Sequence, residues 1–260
     1  MGSEKKRSNP LSQAMVAGSA ESVAQDLIAC PSVVGIGASA GGLEAFEQFF
    51  RACPADSGMA FVLVSHLDPG HVSLLTEIIQ RVTAMPVLEA VDQLEVEPNH
   101  VYVIPPNRDM AILHRRLQLS EPAEPRGLRM PVDFFLRSLA EDQQENAVGI
   151  IFSGTGSDGT LGLRAVFGAG GVTLAQEPSS AKYDGMPSSA IRSGYVTHVL
   201  PVDKMPAALQ ACARRLAVPP ETPPEPTLAG GLNHILMQLR TMTGHDFSLY
   251  KKSTVGRRIA

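Results

Sequence analysis

The chain has 260 residues, of which 44% are hydrophobic and 18% charged, and its formal net charge at pH 7 is −4. That length suffices for one large hydrophobic core or two modest ones, and the composition excludes a fibrous or wholly disordered protein. A slightly acidic chain without a long basic stripe is not expected to bind nucleic acid. No segment has the continuous apolar run of a signal peptide or a membrane span, so we predict a cytoplasmic protein without membrane insertion.

The three cysteines, Cys30, Cys53 and Cys212, are odd in number and far apart in the sequence. This pattern argues against a disulfide framework and against a Cys-x-x-Cys metal site. We therefore expect buried or idle thiols.

Short apolar runs alternate with amphipathic segments from residue 33 onward. Such alternation predicts an α/β fold whose βα units are joined by right-handed crossovers around a mainly parallel sheet, with an antiparallel hairpin inserted. The predicted elements are strands at 33–36, 61–65, 86–90, 101–104, 148–152, 172–176 and 196–199, helices at 42–53, 71–82, 132–140, 160–168 and 203–216, and a hairpin of 110–114 with 117–120 around Arg115-Arg116.

Composition divides the chain into four regions. Residues 1–30 resemble a tail or linker, and 31–217 form the main predicted domain. Residues 218–231 contain five prolines and two glycines, which is typical of a linker. Residues 232–260 begin with helical periodicity but are too few to form a core, so we predict the truncated start of a second domain.

A glycine-rich turn follows the first predicted strand and carries Ser39. The segment Gly37-Ala38-Ser39-Ala40-Gly41 matches the G-x-S-x-G nucleophile elbow, in which amides at the helix start can stabilise an oxyanion. The glycines could instead bind a dinucleotide pyrophosphate, although Gly35, Gly37 and Gly41 depart from the usual G-x-G-x-x-G spacing and Asp56 is poorly placed to contact ribose. A turn with purely structural glycine and serine is the third interpretation.

Three polar residues follow predicted strands: Ser39, His66 and Asp158, the last in the glycine-rich loop 153–159. The carboxyl ends of parallel strands share one edge, where ligands bind at a topological switch point. The three side chains could therefore act as nucleophile, general base and orienting carboxylate.

Other roles remain open for the same residues. His66 could be a loop residue, or it could form a metal site with Asp68 and His71, although no further cluster of His or Cys supports a metal. Asp158 could cap the helix that begins near residue 160. Asp68, Asp133 and Asp184 are competing acids, but only Asp158 follows a buried strand in a glycine-rich loop. We expect neither a metal nor a cofactor.

These motifs resemble the chemotaxis protein-glutamate methylesterases, that is, the CheB catalytic domain. The resemblance implies a doubly wound α/β fold with helices on both faces. It also implies a catalytic triad of Ser39, His66 and Asp158 that hydrolyses glutamate γ-methyl esters on chemoreceptor-type signalling proteins, with glutamine deamidation as a second activity of the family. The matching segments lie between about residues 31 and 216 and comprise 35–42, 66–69, 101–106, 153–159 and 183–187.

The implied substrate and oxyanion region consists of Ala40, Gly41, Gly42, Thr155 and Gly156. Many family members have threonine in place of Ala40 and methionine in place of Thr155, so oxyanion geometry or substrate preference could differ here.

Two alternatives to the methylesterase function remain: a dinucleotide-binding domain and a catalytically idle module that docks to receptors.

Two surface segments are candidate docking surfaces for the substrate protein. They are the 101–120 hairpin region and the stretch 178–190, which we interpret as a loop.

The segments 243–247, 250–251 and 253–259 look like the opening helices of the chemotaxis receptor methyltransferase (CheR). This resemblance implies that the chain is the esterase portion of an esterase–methyltransferase fusion. A downstream methyltransferase domain would then be a further partner, and its methyl-donor site would lie beyond residue 260.

Overall fold

The structure is a computed structural model that describes residues 33–65, 72–122, 124–125 and 128–217, without the side chains of residues 72–73 and 212–217. Three predicted regions, namely the tail, the linker and the C-terminal segment 232–260, lie outside these ranges. His66, Asp68 and His71 lie outside them as well.

The described residues form nine strands and six α-helices. In chain order they are β1 (Val33–Ala38), α1 (Gly42–Ala52), β2 (Ala60–Ser65), α2 (Val72–Gln80), β3 (Val87–Glu89), β4 (Val101–Val103), β5 (Asp109–Leu113), β6 (Arg116–Ser120), α3 (Pro131–Gln143), β7 (Val148–Ile151), α4 (Thr160–Gly168), β8 (Val172–Gln176), α5 (Gly185–Arg192), β9 (His198–Leu200) and α6 (Met205–Ala217).

Seven parallel strands form one sheet in the order β3-β4-β2-β1-β7-β8-β9. The chain runs from central β1 to β2 on one side and later returns to β7 on the other. The direction of winding therefore reverses between β1 and β7, and ligands bind outside the carboxyl ends of strands at such a switch point. The predicted doubly wound, mainly parallel α/β fold is confirmed.

Helices cover both faces of the sheet, and each face has its own hydrophobic core. Helices α1, α2 and α6 pack on one face, where Phe46, Phe49 and Phe50 of α1 are buried. Helices α3, α4 and α5 pack on the other, where Phe135 and Leu136 of α3 are buried. Burial on both faces explains why the central strands read as nearly continuous apolar runs.

Glycines in the central strand allow α3 to approach closely. A Cβ atom at Gly35 would lie 2.7 Å from Leu136 Cδ2, and one at Gly37 would lie 2.2 Å from Val132 Cγ1. Since real Cβ atoms do not approach so closely, any side chain here would push α3 away from β1. The N-terminal turn of α3 is thereby held near the carboxyl edge of the sheet.

Two details differ from the sequence prediction. The two-residue hairpin turn is His114–Arg115, with φ angles of 50° and 60°, rather than Arg115-Arg116. The stretch 178–190 is not a loop throughout, because it contains helix α5. This helix has only eight residues and has a glycine and a proline in its first turn, and both residues are poor helix formers, so local propensity does not predict it. None of the described helices has the length and apolar character needed to cross a membrane.

Candidate active site

Ser39 begins a tight turn between β1 and α1. Its carbonyl oxygen accepts a hydrogen bond from the Gly42 amide at 2.9 Å, and Gly41 has φ 72° and ψ 7°. Ala40 is not among the residues with positive φ, so the geometry is that of a type II β-turn, whose third position favours glycine. The turn leaves the Ser39 side chain half-buried at the carboxyl edge of the sheet.

The backbone of the 153–159 loop lies directly against this serine. The Ser39 amide donates to the Ser153 carbonyl oxygen at 3.0 Å. A Cβ atom on Gly154 would lie 3.0 Å from Ser39 Cβ and 2.1 Å from Met186 Sδ. Glycine at this position therefore brings the loop that carries Asp158 into contact with Ser39.

Asp158 is only 3% exposed, and its carboxylate caps a helix. Its two oxygens accept hydrogen bonds from the amides of Val132 at 3.1 Å and Asp133 at 2.9 Å. These amides belong to the first turn of α3, so Asp158 caps α3, whereas the alternative from the sequence was a cap on the helix that begins near residue 160. The N-terminus of a helix stabilises negative charge, which suits an orienting carboxylate.

Asp133, one of the competing acids, caps the other helix. Its Oδ1 accepts the Gly162 amide of α4 at 2.6 Å. Burial raises the pKa of the Asp133 carboxyl, while the hydrogen bond from the Gly162 amide opposes this shift. Asp184 is exposed and accepts a hydrogen bond from the Ser188 hydroxyl. These contacts give Asp133 and Asp184 structural roles.

The chain reaches the position of His66 through β2. This strand ends at Ser65, which pairs with Ala38 in the parallel register, and Ala38 immediately precedes Ser39. His66 itself lies outside the described residues. The described strands thus bring the chain segments that lead to Ser39 and His66 side by side.

The amide groups of the predicted oxyanion region differ in whether they already donate a hydrogen bond. The Gly42 amide is engaged within the turn by Ser39, so it is not a candidate donor. Among the described residues, none accepts a hydrogen bond from the amides of Ala40, Gly41, Thr155 or Gly156. Thr155 and Gly156 are exposed in the loop after β7. These four amides are therefore the candidates for binding an oxyanion.

The glycine pattern that suggested a dinucleotide site has a packing explanation. Gly35 and Gly37 lie within β1 and face α3, while Gly41 alone belongs to the turn. Asp56 is exposed in the loop before β2, away from the carboxyl edge. The described residues also contain no group of three or more His, Cys, Asp or Glu side chains suited to holding a metal ion.

Cys53 is the one cysteine whose side chain the structure describes, and it is a buried free thiol. Burial raises its pKa to about 12. Because the thiolate is the reactive form, this thiol is inert at neutral pH, as the sequence predicted for it.

Sequence analysis missed a buried glutamine and an ion pair beside the site. Gln176 at the end of β8 is 2% exposed, and its Oε1 accepts the Ser153 amide at 2.8 Å. Lys182 Nζ lies 2.9 Å from Glu44 Oε1 and joins the 181–184 segment to α1. The pair lowers the pKa of Glu44 and raises that of Lys182. A polar residue at the end of a buried strand was the signal for Gln176.

Comparison with known proteins assigns the chain to a family. The family model described as CheB methylesterase matches residues 34–209. A protein-glutamate methylesterase/protein-glutamine glutaminase of Pseudomonas aeruginosa is 34% identical over 197 residues, which cover 74% of this chain and 56% of that protein. A 104.1 kDa protein of Rhodobacter capsulatus is 40% identical over 131 residues, which cover 50% of this chain and 14% of that protein.

A solved structure gives the same result. The crystal structure of the Thermotoga maritima CheB methylesterase catalytic domain matches with a TM-score of 0.66 and 29% identity, covering 71% of this chain and 100% of that one. The present chain spans about half the length of its methylesterase relatives. On the family model, the relatives and the shared fold together, the chain belongs to the CheB methylesterase family.

Proposed function

We propose that this chain hydrolyses glutamate γ-methyl esters on a chemoreceptor-type signalling protein. Ser39 is the nucleophile, His66 the general base and Asp158 the orienting carboxylate. One observation carries the proposal: three neighbouring strands, β2, β1 and β7, each lead at the carboxyl edge to one of these residues. The names of the methylesterase relatives support the same reaction.

In the proposed reaction, the Ser39 hydroxyl attacks the ester carbonyl while His66 accepts its proton. The tetrahedral oxyanion is bound by amides from the two loops that meet at the site, with Ala40 and Gly41 on one side and Thr155 on the other. The intermediate collapses to an acyl-enzyme, and methanol leaves with the proton from His66. Water then hydrolyses the acyl-enzyme by the same proton transfers and releases the glutamate carboxyl group.

Asp158 stabilises the histidine in this scheme rather than reacting itself. An orienting carboxylate fixes the imidazole tautomer and stabilises the imidazolium that forms during attack. The two amides of α3 that bind the Asp158 carboxylate hold it in one orientation. Helix α3 thus supports the base indirectly.

The same attack on a glutamine side chain would release ammonia in place of methanol. The names of the relatives include protein-glutamine glutaminase, which suggests this second leaving group. We propose deamidation as a secondary activity of the same site. The predicted methyltransferase continuation concerns residues 232–260 and stays a prediction.

The test is methanol release from a methylated receptor by the wild-type protein and the Ser39→Ala variant. We expect the variant to lose several powers of ten in kcat, as enzymes do when the nucleophile is removed. Ser57→Ala is a suitable control, because Ser57 lies before β2 at the opposite edge of the sheet. Undiminished methanol release by Ser39→Ala would refute the mechanism.

A serine-directed fluorophosphonate separates an active enzyme from an idle docking module. We expect the wild-type protein to be labelled at Ser39 and the Ser57→Ala control to be labelled equally. A folded wild-type protein that binds receptor but takes no label would instead support the docking alternative.

A further inference from the structure

Two buried polar side chains meet behind the Ser39 turn, and the proposed chemistry uses neither. Ser153 is 1% exposed and Gln176 is 2% exposed. Burying polar groups is costly unless they are hydrogen-bonded, and a fully satisfied buried network rigidifies its surroundings. Their hydrogen bonds indicate what they hold in place.

Ser153 forms hydrogen bonds to the Ser39 turn through both its backbone carbonyl and its side-chain hydroxyl. Its carbonyl oxygen accepts the Ser39 amide at 3.0 Å. Its hydroxyl donates to the Ala40 carbonyl oxygen at 2.9 Å, which is closer than the other acceptor within reach, the Tyr183 carbonyl oxygen at 3.2 Å. A Cβ atom at Gly41 would lie 2.8 Å from the Ser153 hydroxyl oxygen. Ser153 therefore packs directly against the peptide unit between Ala40 and Gly41.

The bond to the Ala40 carbonyl determines the orientation of that peptide unit. Type I and type II turns differ by a flip of their central peptide, here the one between Ala40 and Gly41. Glycine at the third position permits both forms. In a trans peptide the N–H points opposite to the C=O, so the Ser153 hydroxyl also fixes the direction of the Gly41 N–H.

Gln176 holds Ser153 in turn. Its Oε1 accepts the Ser153 amide at 2.8 Å, and its Nε2 donates to the Ser180 carbonyl oxygen at 3.0 Å. The Ser153 hydroxyl also accepts the Tyr183 amide at 3.0 Å. The network thus joins the Ser39 turn, the start of the 153–159 loop and the segment after β8.

From these contacts we infer that Ser153, supported by Gln176, is a positioning residue for the reaction. It holds the Ser39 turn in its type II form and so keeps the Gly41 N–H directed as an oxyanion donor. This inference rests on the proposed function. It assigns a role to two residues that do not touch the reacting atoms.

The test is the Ser153→Ala variant with methylated receptor as substrate. Removing the hydroxyl frees the peptide to flip, and loss of one oxyanion donor typically costs about 100-fold in turnover. We expect kcat to fall by about that factor while KM changes little, because the surface that binds substrate is unaltered. Fluorophosphonate labelling of Ser39 should slow in parallel.

A matched control is Ser138→Ala. The Ser138 hydroxyl also links two backbone groups, accepting the Ile112 amide at 3.0 Å and donating to the Phe135 carbonyl oxygen at 2.8 Å. Its loss should lower the melting temperature but leave kcat and the labelling rate unchanged. Equal kcat values for folded Ser153→Ala and Ser138→Ala would overturn the inference.

Gln176→Met provides a second variant that keeps the side-chain volume but removes the side-chain hydrogen bonds to Ser153 and Ser180. We expect a smaller loss of kcat than in Ser153→Ala, again with little change in KM, and a wild-type kcat would contradict the inference.

Failure of this inference can be distinguished from failure of the proposed function. If Ser39→Ala still releases methanol, the proposed function is wrong. If Ser39→Ala is inactive while Ser153→Ala and Gln176→Met keep the wild-type kcat, only the positioning role is wrong.

Discussion

At Gly37, the absence of a side chain sets the distance between the central strand and α3, the helix that Asp158 caps. A Cβ atom here would lie 2.2 Å from Val132 Cγ1 and 3.0 Å from Ile151 Cδ1. The Val132 amide, in turn, donates to the Asp158 carboxylate. Packing at Gly37 and the position of the proposed triad aspartate are therefore linked through a single residue of α3.

Gly37→Ala should destabilise the protein by about 1–3 kcal/mol, because overpacking a well-filled core strains its neighbours. Urea unfolding followed by circular dichroism measures this change. Val132→Ala makes room for the added methyl group, so the double variant should lose less stability than the sum of the two single variants. Additive losses, with no coupling between the two sites, would contradict the proposed contact.

Individual residues differ in how far the sequence reveals their roles. Ser39 and Asp158 were identified because each follows a buried strand in a glycine-containing segment. Ser153 and Gln176 were not, because their partners are determined by the adjacency of β1, β7 and β8 in the sheet. That adjacency depends on the crossover after β4 and has no local signature in the sequence.

At the level of whole elements, each of the helices α3 and α4 is capped by an aspartate from the segment that belongs to the other. Asp158, which precedes α4, accepts amides of α3, and Asp133 in the first turn of α3 accepts the Gly162 amide of α4. The residues next to each helix start, Met130 and Gly159, provide no side-chain cap of their own. Each helix thus satisfies the amides at the N-terminus of the other, and the pair is locked together beside the site.

Asp133→Asn should change how stability depends on pH. Burial raises the pKa of Asp133 in the folded protein above its ordinary value, so the folded state binds more protons than the unfolded state in the acidic range. The wild-type protein therefore loses stability as the pH rises from the ordinary aspartate pKa of about 3.9 through the raised pKa. Asparagine does not titrate, so the stability of the variant relative to wild type should increase over this window and then level off.

Denaturation with urea at a series of pH values measures this difference. Asp133→Ala is the comparison variant: it also removes the titration, but it leaves the Gly162 amide without its cap, so it should be about 1 kcal/mol less stable than Asp133→Asn at every pH. A constant difference between Asp133→Asn and wild type from pH 3 to 7 would show that the Asp133 carboxyl does not titrate as its burial implies.

Whole elements were predicted most clearly where they bury several large apolar residues. The central strands β2, β1 and β7 and the helices α1 and α3 bury several large apolar residues each, and their existence was predicted correctly. Helix α5 was missed because its buried face comprises only Met186, Pro187 and Ala190. Its start is fixed by tertiary contact instead, since the Met186 amide donates to the Gly154 carbonyl oxygen of the loop after β7.

At the scale of the whole molecule, an aromatic cluster connects the sheet to α1. The Phe49 ring has centroid distances of 5.2 Å to Phe50, 5.7 Å to Phe61 on β2 and 5.7 Å to Phe152, which follows β7. Phe152 immediately precedes Ser153, so the cluster lies under the network that holds the Ser39 turn. The core that stabilises the fold therefore also supports the site.

Phe49→Ala should accordingly destabilise the entire domain. The ring is fully buried, and replacing such a phenylalanine by alanine costs about 3–5 kcal/mol, a large share of the 5–15 kcal/mol that stabilises a typical domain. Phe134→Ala is the matched control, since Phe134 on α3 is 46% exposed and its loss should change stability by less than about 0.5 kcal/mol. Circular dichroism during urea unfolding compares the two variants, because the chain contains no tryptophan to report by fluorescence. If the two substitutions cost the same, the aromatic cluster does not hold β2, β7 and α1 together.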